Sequence, residues 1–407
     1  MPRSNHAVRL SLVVLALIGM IALVGCPPPP AEPVPDDGAI EGGPAETPEE
    51  TPAETPEEAP AETPAETPEE TPAEPAEAAA PLSESELLLE LPGDVCNTPD
   101  AMCLLPDGNL ILSVPNFNDL TQPAVLMKIT PDNRAEKFYD LPKHPGTGEN
   151  LGPLGICVAP SGDLFLADYQ MQGERQSRVM RIKMEEGKPV DCVPVITGFT
   201  VSNAVVVRDG HLYVSETQID PKAKPAVSGV LRFKLEELEG DAVELATPIT
   251  DDPHLLATIE TFNEELPLGA DGLCFDADGN LYIGNFSDGT VHKFEFDAEG
   301  KVSSNTIFAK ADCMKSADGL FMDSSTGKIY VADSKANAVQ VIAPDGSVQT
   351  LAQNGETDGL DGGMDQPCEV ILRGREVIVS NMDWPVPGCV NQKYDKPCTL
   401  AVIKLED

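Results

Sequence analysis

The stretch ADGLCFDADGNLYIGN, residues 270–285, decides the fold. It opens on a small and polar tripeptide and runs apolar through Leu273, Cys274 and Phe275. It then turns at Asp278-Gly279-Asn280 and leaves as an alternating strand. Asp-Gly and Gly-Asn pairs supply the backbone freedom that a tight hairpin turn needs. Working outward, the phrase recurs as PDAMCLLPDGNLILSV from Pro99, PLGICVAPSGDLFLAD from Pro153 and SNAVVVRDGHLYVSE from Ser202, then as ADGLFMDSSTGKIYVAD from Ala317 and PCEVILRGREVIVSN from Pro367. Aligned on the second residue, the copies begin at Asp100, Leu154, Asn203, Asp271, Asp318 and Cys368. An interval of roughly 50 residues suits one four-stranded propeller blade, so the sequence predicts an all-β, six-bladed β-propeller.

In each repeat the first apolar run is read as the innermost strand and the segment after the turn as the second. Third strands are expected at 124–129, 178–184, 229–235, 290–296 and 338–342, and weaker outer strands at 135–139, 190–196, 303–309 and 347–352. The last repeat supplies only three strands, ending at 398–405. Its missing outer strand is expected from ELLLEL, residues 86–91, which would close the ring and remove an exposed edge. A free N-terminal helix is the alternative.

Composition divides the chain into a leader at 1–25, a segment at 26–81 and a globular remainder at 82–407. Arg3 and Arg9 precede an apolar run from Leu10 to Val24, too short for a spanning helix and suited to a secretory leader. It ends in Leu-Val-Gly-Cys at 23–26, which resembles the lipobox of bacterial lipoproteins and implies lipidation of Cys26. Residues 27–81 carry 14 Glu, two Asp, no Lys and no Arg in Ala-Glu-Thr-Pro and Glu-Glu-Thr-Pro units. Such a segment buries too little apolar surface to fold and reads as a disordered spacer, with a contour near 170 Å at ~3.1 Å per residue. Of the net charge of −41, the spacer holds −16 and the leader +2, leaving −27 on 82–407. That charge repels nucleic acid and anionic lipid, so cations and neutral ligands are the expected partners.

Nine cysteines follow Cys26. Cys103, Cys157 and Cys274 share one repeat position where other copies carry Val206, Phe321 and Ile371, and they read as buried thiols. Cys389 and Cys398 bracket the loop GCVNQKYDKPC and are expected to pair, as suits an exported protein. No pairing is fixed for Cys96, Cys192, Cys313 and Cys368.

The topology places two rings of side chains at one channel mouth: Asp100, Leu154, Asn203, Asp271, Asp318 and Cys368 from the innermost strands, and Val114, Asp168, Glu216, Asn285, Asp333 and Asn381 from the ends of the second strands. Converging carboxylates repel one another unless protonated, solvated or bridged by a cation, and a hard cation such as Ca²⁺ suits oxygen ligands. Phe117, Tyr169, Phe286 and Trp384 follow the second strands and are expected to rim the mouth, stacking on a cyclic ligand or packing between loops. The Asp-rich run at 358–365 has Leu360 and Gly362 where a Ca²⁺ loop needs oxygen, and reads as a turn. No nucleophile elbow, phosphate loop or dinucleotide fingerprint occurs.

These segments resemble the SMP-30/gluconolactonase/LRE-like family, with NHL-like repeats elsewhere. Ser202-Asn203-Ala204 matches the family's Asn-Gly segment and Ala270-Asp271-Gly272 its Asp-Gly segment. The resemblance implies a divalent metal at the mouth held by Asn203 and Asp271, with Asp100 where the family has Glu; Asp318, from the same ring, is read as a fourth oxygen donor compensating for Leu154. Leu154 stands where the family has Asn and cannot ligate. The implied activity is metal-assisted lactone hydrolysis, with Asp271 orienting or deprotonating water. The residues themselves leave open a hydrolase site, a non-catalytic cation or ligand site, and polar caps that only bond nearby backbone. The leading expectation is a monomeric, lipid-anchored propeller of the bacterial cell envelope that binds a small neutral or cyclic ligand, or another envelope protein, at its mouth.

Overall fold

The computed structural model describes residues 81–406. The expected leader, lipidation site Cys26 and acidic spacer fall on residues 1–80, outside the described residues. Six sheets follow one another in chain order. The first blade is Met102–Leu104, Leu110–Val114, Val125–Ile129 and Ala135–Asp140; the second is Pro153–Val158, Leu164–Asp168, Ser177–Glu185 and Lys188–Phe199. The third is Ser202–Arg208, His211–Asp220, Ala226–Lys234 and Leu255–Thr261; the fourth is Ala270–Phe275, Leu281–Asn285, Thr290–Phe296 and Val302–Lys310. The fifth is Leu320–Asp323, Lys328–Asp333, Ala338–Ile342 and Val348–Gln353. Each innermost strand packs against the next, and the sixth against the first. Second strands such as Leu110–Val114 and Leu281–Asn285 are buried along their whole length because neighbouring blades cover both faces. Outer strands such as Ala135–Asp140 are only half-buried, which explains their weaker apolar pattern.

The sixth blade is completed by the N-terminal segment, as expected. Pro367–Arg373, Glu376–Asn381 and Thr399–Lys404 are joined by Ser85–Glu90, which pairs antiparallel from Ser85 opposite Ile403 to Glu90 opposite Thr399. The Leu91 N–H donates to the Cys398 carbonyl (2.8 Å), and Leu91 is buried with Leu110, Ile378 and Leu400. An exposed ion pair between Lys404 and Glu86 (2.7 Å) adds little. Apolar burial therefore carries the closure.

The third blade departs from the sequence reading, which found no outer strand for it. After Ala226–Lys234 the chain leaves the blade through two short 3₁₀ helices, Leu235–Glu239 and Ile249–Asp251. Between them Val243–Glu244 adds a parallel strand to the edge of the second blade. Leu238, Leu245 and Ile249 anchor this excursion in the core between the two blades. The Arg175 guanidinium ties it down by donating to the carbonyls of Gly198 and Ala246, both at 2.8 Å. Only then does Leu255–Thr261 return as the outer strand.

Close approach of the innermost strands explains the small residue after the aligned position in five of the six repeats. A Cβ on Gly272 would lie 2.3 Å from the Asp318 carbonyl oxygen, and one on Gly155 would lie 2.5 Å from that of Asn203. Neither backbone oxygen can yield without moving a neighbouring strand.

Candidate functional site

The innermost strands carry the site, and four of the six bulge at the mouth end. Pairing slips by one residue between Pro153 and Ile156, Ser202 and Val205, Ala270 and Leu273, and Pro367 and Glu369. A bulge re-aims a side chain without ending the strand. The result is one cavity of about 100 Å³ at the channel mouth. Its polar lining includes Asp100, Asn203, Asp271 and Asp318, with Leu154 beside them, and Phe117, Tyr169, Phe286 and Trp384 line it too. All four expected metal ligands and all four expected rim aromatics thus meet in one place. Phe117 anchors the rim: its ring lies 5.0 Å from that of Trp384 and 6.2 Å, edge-on, from that of Tyr169. The Lys335 ammonium sits 5.6 Å from the Phe286 ring centroid, outside the lining.

No Lys, Arg or His lines the cavity, so its carboxyl groups have no cation to offset them. Burial lifts Asp100 to about 7, although a hydrogen bond with the Cys368 thiol favours its charged form. Asp271 is pushed well above the usual carboxylate range by burial first and then by Asp318 and Asp100, against a hydrogen bond with Asn203. Asp318 rises for the same reasons, burial and then Asp100, while the Ser334 hydroxyl donates to it at 2.6 Å. Each donor is thus engaged with a neighbour, and among the described residues no three His, Cys, Asp or Glu side chains are disposed to hold a metal ion as they stand. The donor set of three carboxyls and one amide nonetheless fits a hard cation in chemistry.

A family model, the SMP-30/gluconolactonase/LRE-like region, matches residues 117–355. The chain belongs to the SMP-30/gluconolactonase/LRE-like family. Solved structures agree on the fold. A luciferin-regenerating enzyme is similar at 12% identity and a TM-score of 0.52, over 80% of this chain and 97% of that one. A candidate oxidoreductase (glucose dehydrogenase) from Thermus thermophilus is similar at 14% identity and a TM-score of 0.51, over 79% and 99%. A candidate gluconolactonase is similar at 16% identity and a TM-score of 0.50, over 80% and 94%. No curated protein matches the sequence.

Within this SMP-30/gluconolactonase/LRE-like propeller, the second ring does not share the mouth as expected. Asp168 accepts the Gly152 N–H (3.0 Å) and pairs with buried Arg178 (2.6 Å). Glu216 accepts the N–H groups of Thr200, Val201 and Gln218, and Asp333 those of Lys315, Ser316 and Ala336. The Asn285 amide donates to the Glu260 carbonyl and that of Asn381 to the Thr399 hydroxyl, while Val114 is buried. These side chains hold the connecting loops. Similarly, Asp358 and Asp361 accept backbone N–H groups of their own turn, as expected.

Sequence reasoning missed Glu369. It occupies the small-residue position that is Ala101, Gly155, Ala204, Gly272 and Gly319 in the other repeats. Its carboxylate reaches across the neighbouring strand, where a Cβ on Gly319 would lie 2.3 Å from Oε1. Burial, then the charges of Asp318 and Asp100, push it well above the ordinary range. The signal was the one acidic residue in a column of Gly and Ala.

The expected Cys389–Cys398 bridge is absent, and both are free, buried thiols. Cys389 accepts a hydrogen bond from the Gln366 amide (3.6 Å), whereas Cys398 faces the core around Leu91 and Cys96. The loop turns its two ends to different surroundings. Cys103 and Cys274 are buried between blades and Cys157 half-buried, as the repeat position implies. Burial pushes the Cys103 thiol up to about 12, so it stays protonated and unreactive.

Proposed function

We propose that the channel mouth binds a small, neutral, cyclic ligand, and that the protein acts as a binding module of the cell envelope, monomeric and tethered by lipid at Cys26. The observation that carries this reading is the junction of an aromatic rim with a carboxyl-lined interior in one cavity. Aromatic faces stack on the apolar face of a ring. Carboxyl groups held partly protonated at neutral pH both donate and accept hydrogen bonds with hydroxyls or a ring carbonyl. Trp384 is the single tryptophan of the chain, so its emission reports on the mouth directly. Titration with glucono-δ-lactone and with neutral monosaccharides should shift that emission saturably. Phe117→Ala should raise Kd up to about tenfold, the value of one aromatic contact. Emission unmoved by the whole panel at millimolar concentration would sink the reading.

A second reading is metal-dependent lactone hydrolysis, favoured by the Asn203–Asp271 hydrogen bond and by Asp100 and Asp318 in the same cavity. These four residues would hold the cation, which when bound supplies Lewis-acid polarisation of a lactone carbonyl. Asp271 would take a proton from water, and the aromatic rim would orient the ring. On this reading Ca²⁺ raises the melting temperature of the wild type and not of Asp271→Ala. Calorimetry showing no binding of Ca²⁺, Mg²⁺, Mn²⁺ or Zn²⁺ would discard it and leave the binding module standing.

A further inference from the structure

Two cysteines from opposite ends of the propeller meet where the ring closes. Cys96 follows the closing strand Ser85–Glu90 through a turn in which the N–H groups of Val95 and Cys96 both donate to the Pro92 carbonyl (2.9 Å). Cys398 immediately precedes Thr399–Lys404, the strand that Ser85–Glu90 pairs with. Both residues are buried, at 0% and 1% exposure, in one apolar cluster with Leu91, Ile378 and Leu400. They belong to one packed cluster, and the Cys96 thiol lies near enough to Cys398 to perturb it. The Leu91–Cys398 backbone hydrogen bond holds the two segments together.

We propose that Cys96 and Cys398 are a disulfide site that locks the ring shut. The bond would join the N-terminal connector to the last strand and so fasten the one blade built from both chain ends. Contact with Cys96, then burial, keeps the Cys398 thiol well above its ordinary range, so in the closed propeller Cys398 is a poor nucleophile. Oxidation therefore belongs to folding, before the closing strand docks, or to transient opening of the sixth blade. The oxidant is a disulfide of the glutathione class. One cysteine thiolate attacks it and releases one thiol; the second then attacks the mixed disulfide and releases the other. Two protons and two electrons leave the cysteine pair, and the oxidant is reduced to two thiols. Such a bond restricts the unfolded chain over a very long loop, the case in which a cross-link is expected to stabilise most.

The test is to refold the full-length reduced chain in a glutathione redox buffer and in excess reductant, then alkylate and digest without reduction. A peptide pair joining Cys96 to Cys398 is expected only from the oxidised sample. Its melting temperature should exceed that of the reduced protein by roughly 5–10 °C, a difference that Cys96→Ala removes. Because that variant also alters a buried position, the mapping of the wild type decides. Recovery of both cysteines alkylated from the oxidised protein, or of Cys398 joined to Cys389, would overturn the proposal.

Discussion

Removing residues 83–91 should cost the propeller a large share of its stability. That deletion takes away Ser85–Glu90, whose pairing with Thr399–Lys404 satisfies the outer edge of the sixth blade. It also removes Leu91, at 1% exposure, and the half-buried Leu87, Leu88 and Leu89. A fully buried leucine is worth about 1.5–3 kcal/mol, so this group contributes on the order of 5 kcal/mol. Domains as a whole have about 5–15 kcal/mol. The shortened chain should melt at least about 10 °C lower or aggregate through its open edge. Leu91→Ala is the milder version, expected to cost about 2–5 kcal/mol by leaving a cavity beside Leu400 and Ile378. Denaturant unfolding with an unchanged midpoint for both variants would show that the closing strand is incidental.

What the sequence disclosed follows from what each position has to satisfy locally. A second strand sandwiched between blades must be apolar along its length, so Leu110–Val114 and Leu281–Asn285 declare themselves in every repeat. The closing strand was legible because the sixth repeat was one strand short. The excursion of the third blade was not, because Leu238, Leu245 and Ile249 are scattered and gain meaning only against the neighbouring blade. The cysteine pairing failed for a similar reason. Spacing in the loop favoured Cys389, but the contact of Cys398 with Cys96 exists only after the ring closes.

At the mouth, the inner ring and the aromatic rim were readable because both lie at fixed offsets from the same turn. The second ring was misplaced because cross-strand pairing does not say which way a side chain faces. Ala270 is the partner of Asn285, and Asp271 is the next residue, within the bulge. One residue is enough to send Asp271 to the cavity and Asn285 to the Glu260 carbonyl. Glu369 broke the small-residue rule, and a departure from a rule inside a repeat is where a function-bearing group is first sought.

The carboxyl groups of the channel should make this protein less stable at pH 8 than at pH 5. An unfolded aspartate releases its proton near 3.8, whereas folded Asp100 holds it to about 7. Between those values the folded state binds more protons, so stability falls as pH rises and levels off for this group above about 7. Asp365 behaves alike, raised to about 7 by burial and by Asp395, and Asp383, lifted to about 10 by burial and by Asp365, extends the decline. Asp271, Asp318 and Glu369 add to it in the same direction. Burial lowers His144 and His292, which act in the opposite sense below about pH 6.5. Asp163, Asp252 and Asp323 are held low and lose their contribution only in stronger acid. Of the displacement from 3.8 to about 7 in Asp100, the part that falls above pH 5 alone amounts to on the order of 3 kcal/mol. The melting temperature should therefore drop by about 10 °C between pH 5 and pH 8. Asp100→Asn, which keeps the shape and removes the titration, should raise the melting temperature at pH 8 and leave it nearly unchanged at pH 5. Ca²⁺ separates the two functional readings on the same curve. A cation held by Asp100, Asn203, Asp271 and Asp318 displaces the retained protons, so it should flatten the decline at pH 8, whereas a mouth built for a neutral ligand leaves the slope as it is. A melting temperature that is constant or rises from pH 5 to pH 8 without added metal would contradict the whole electrostatic account of the channel.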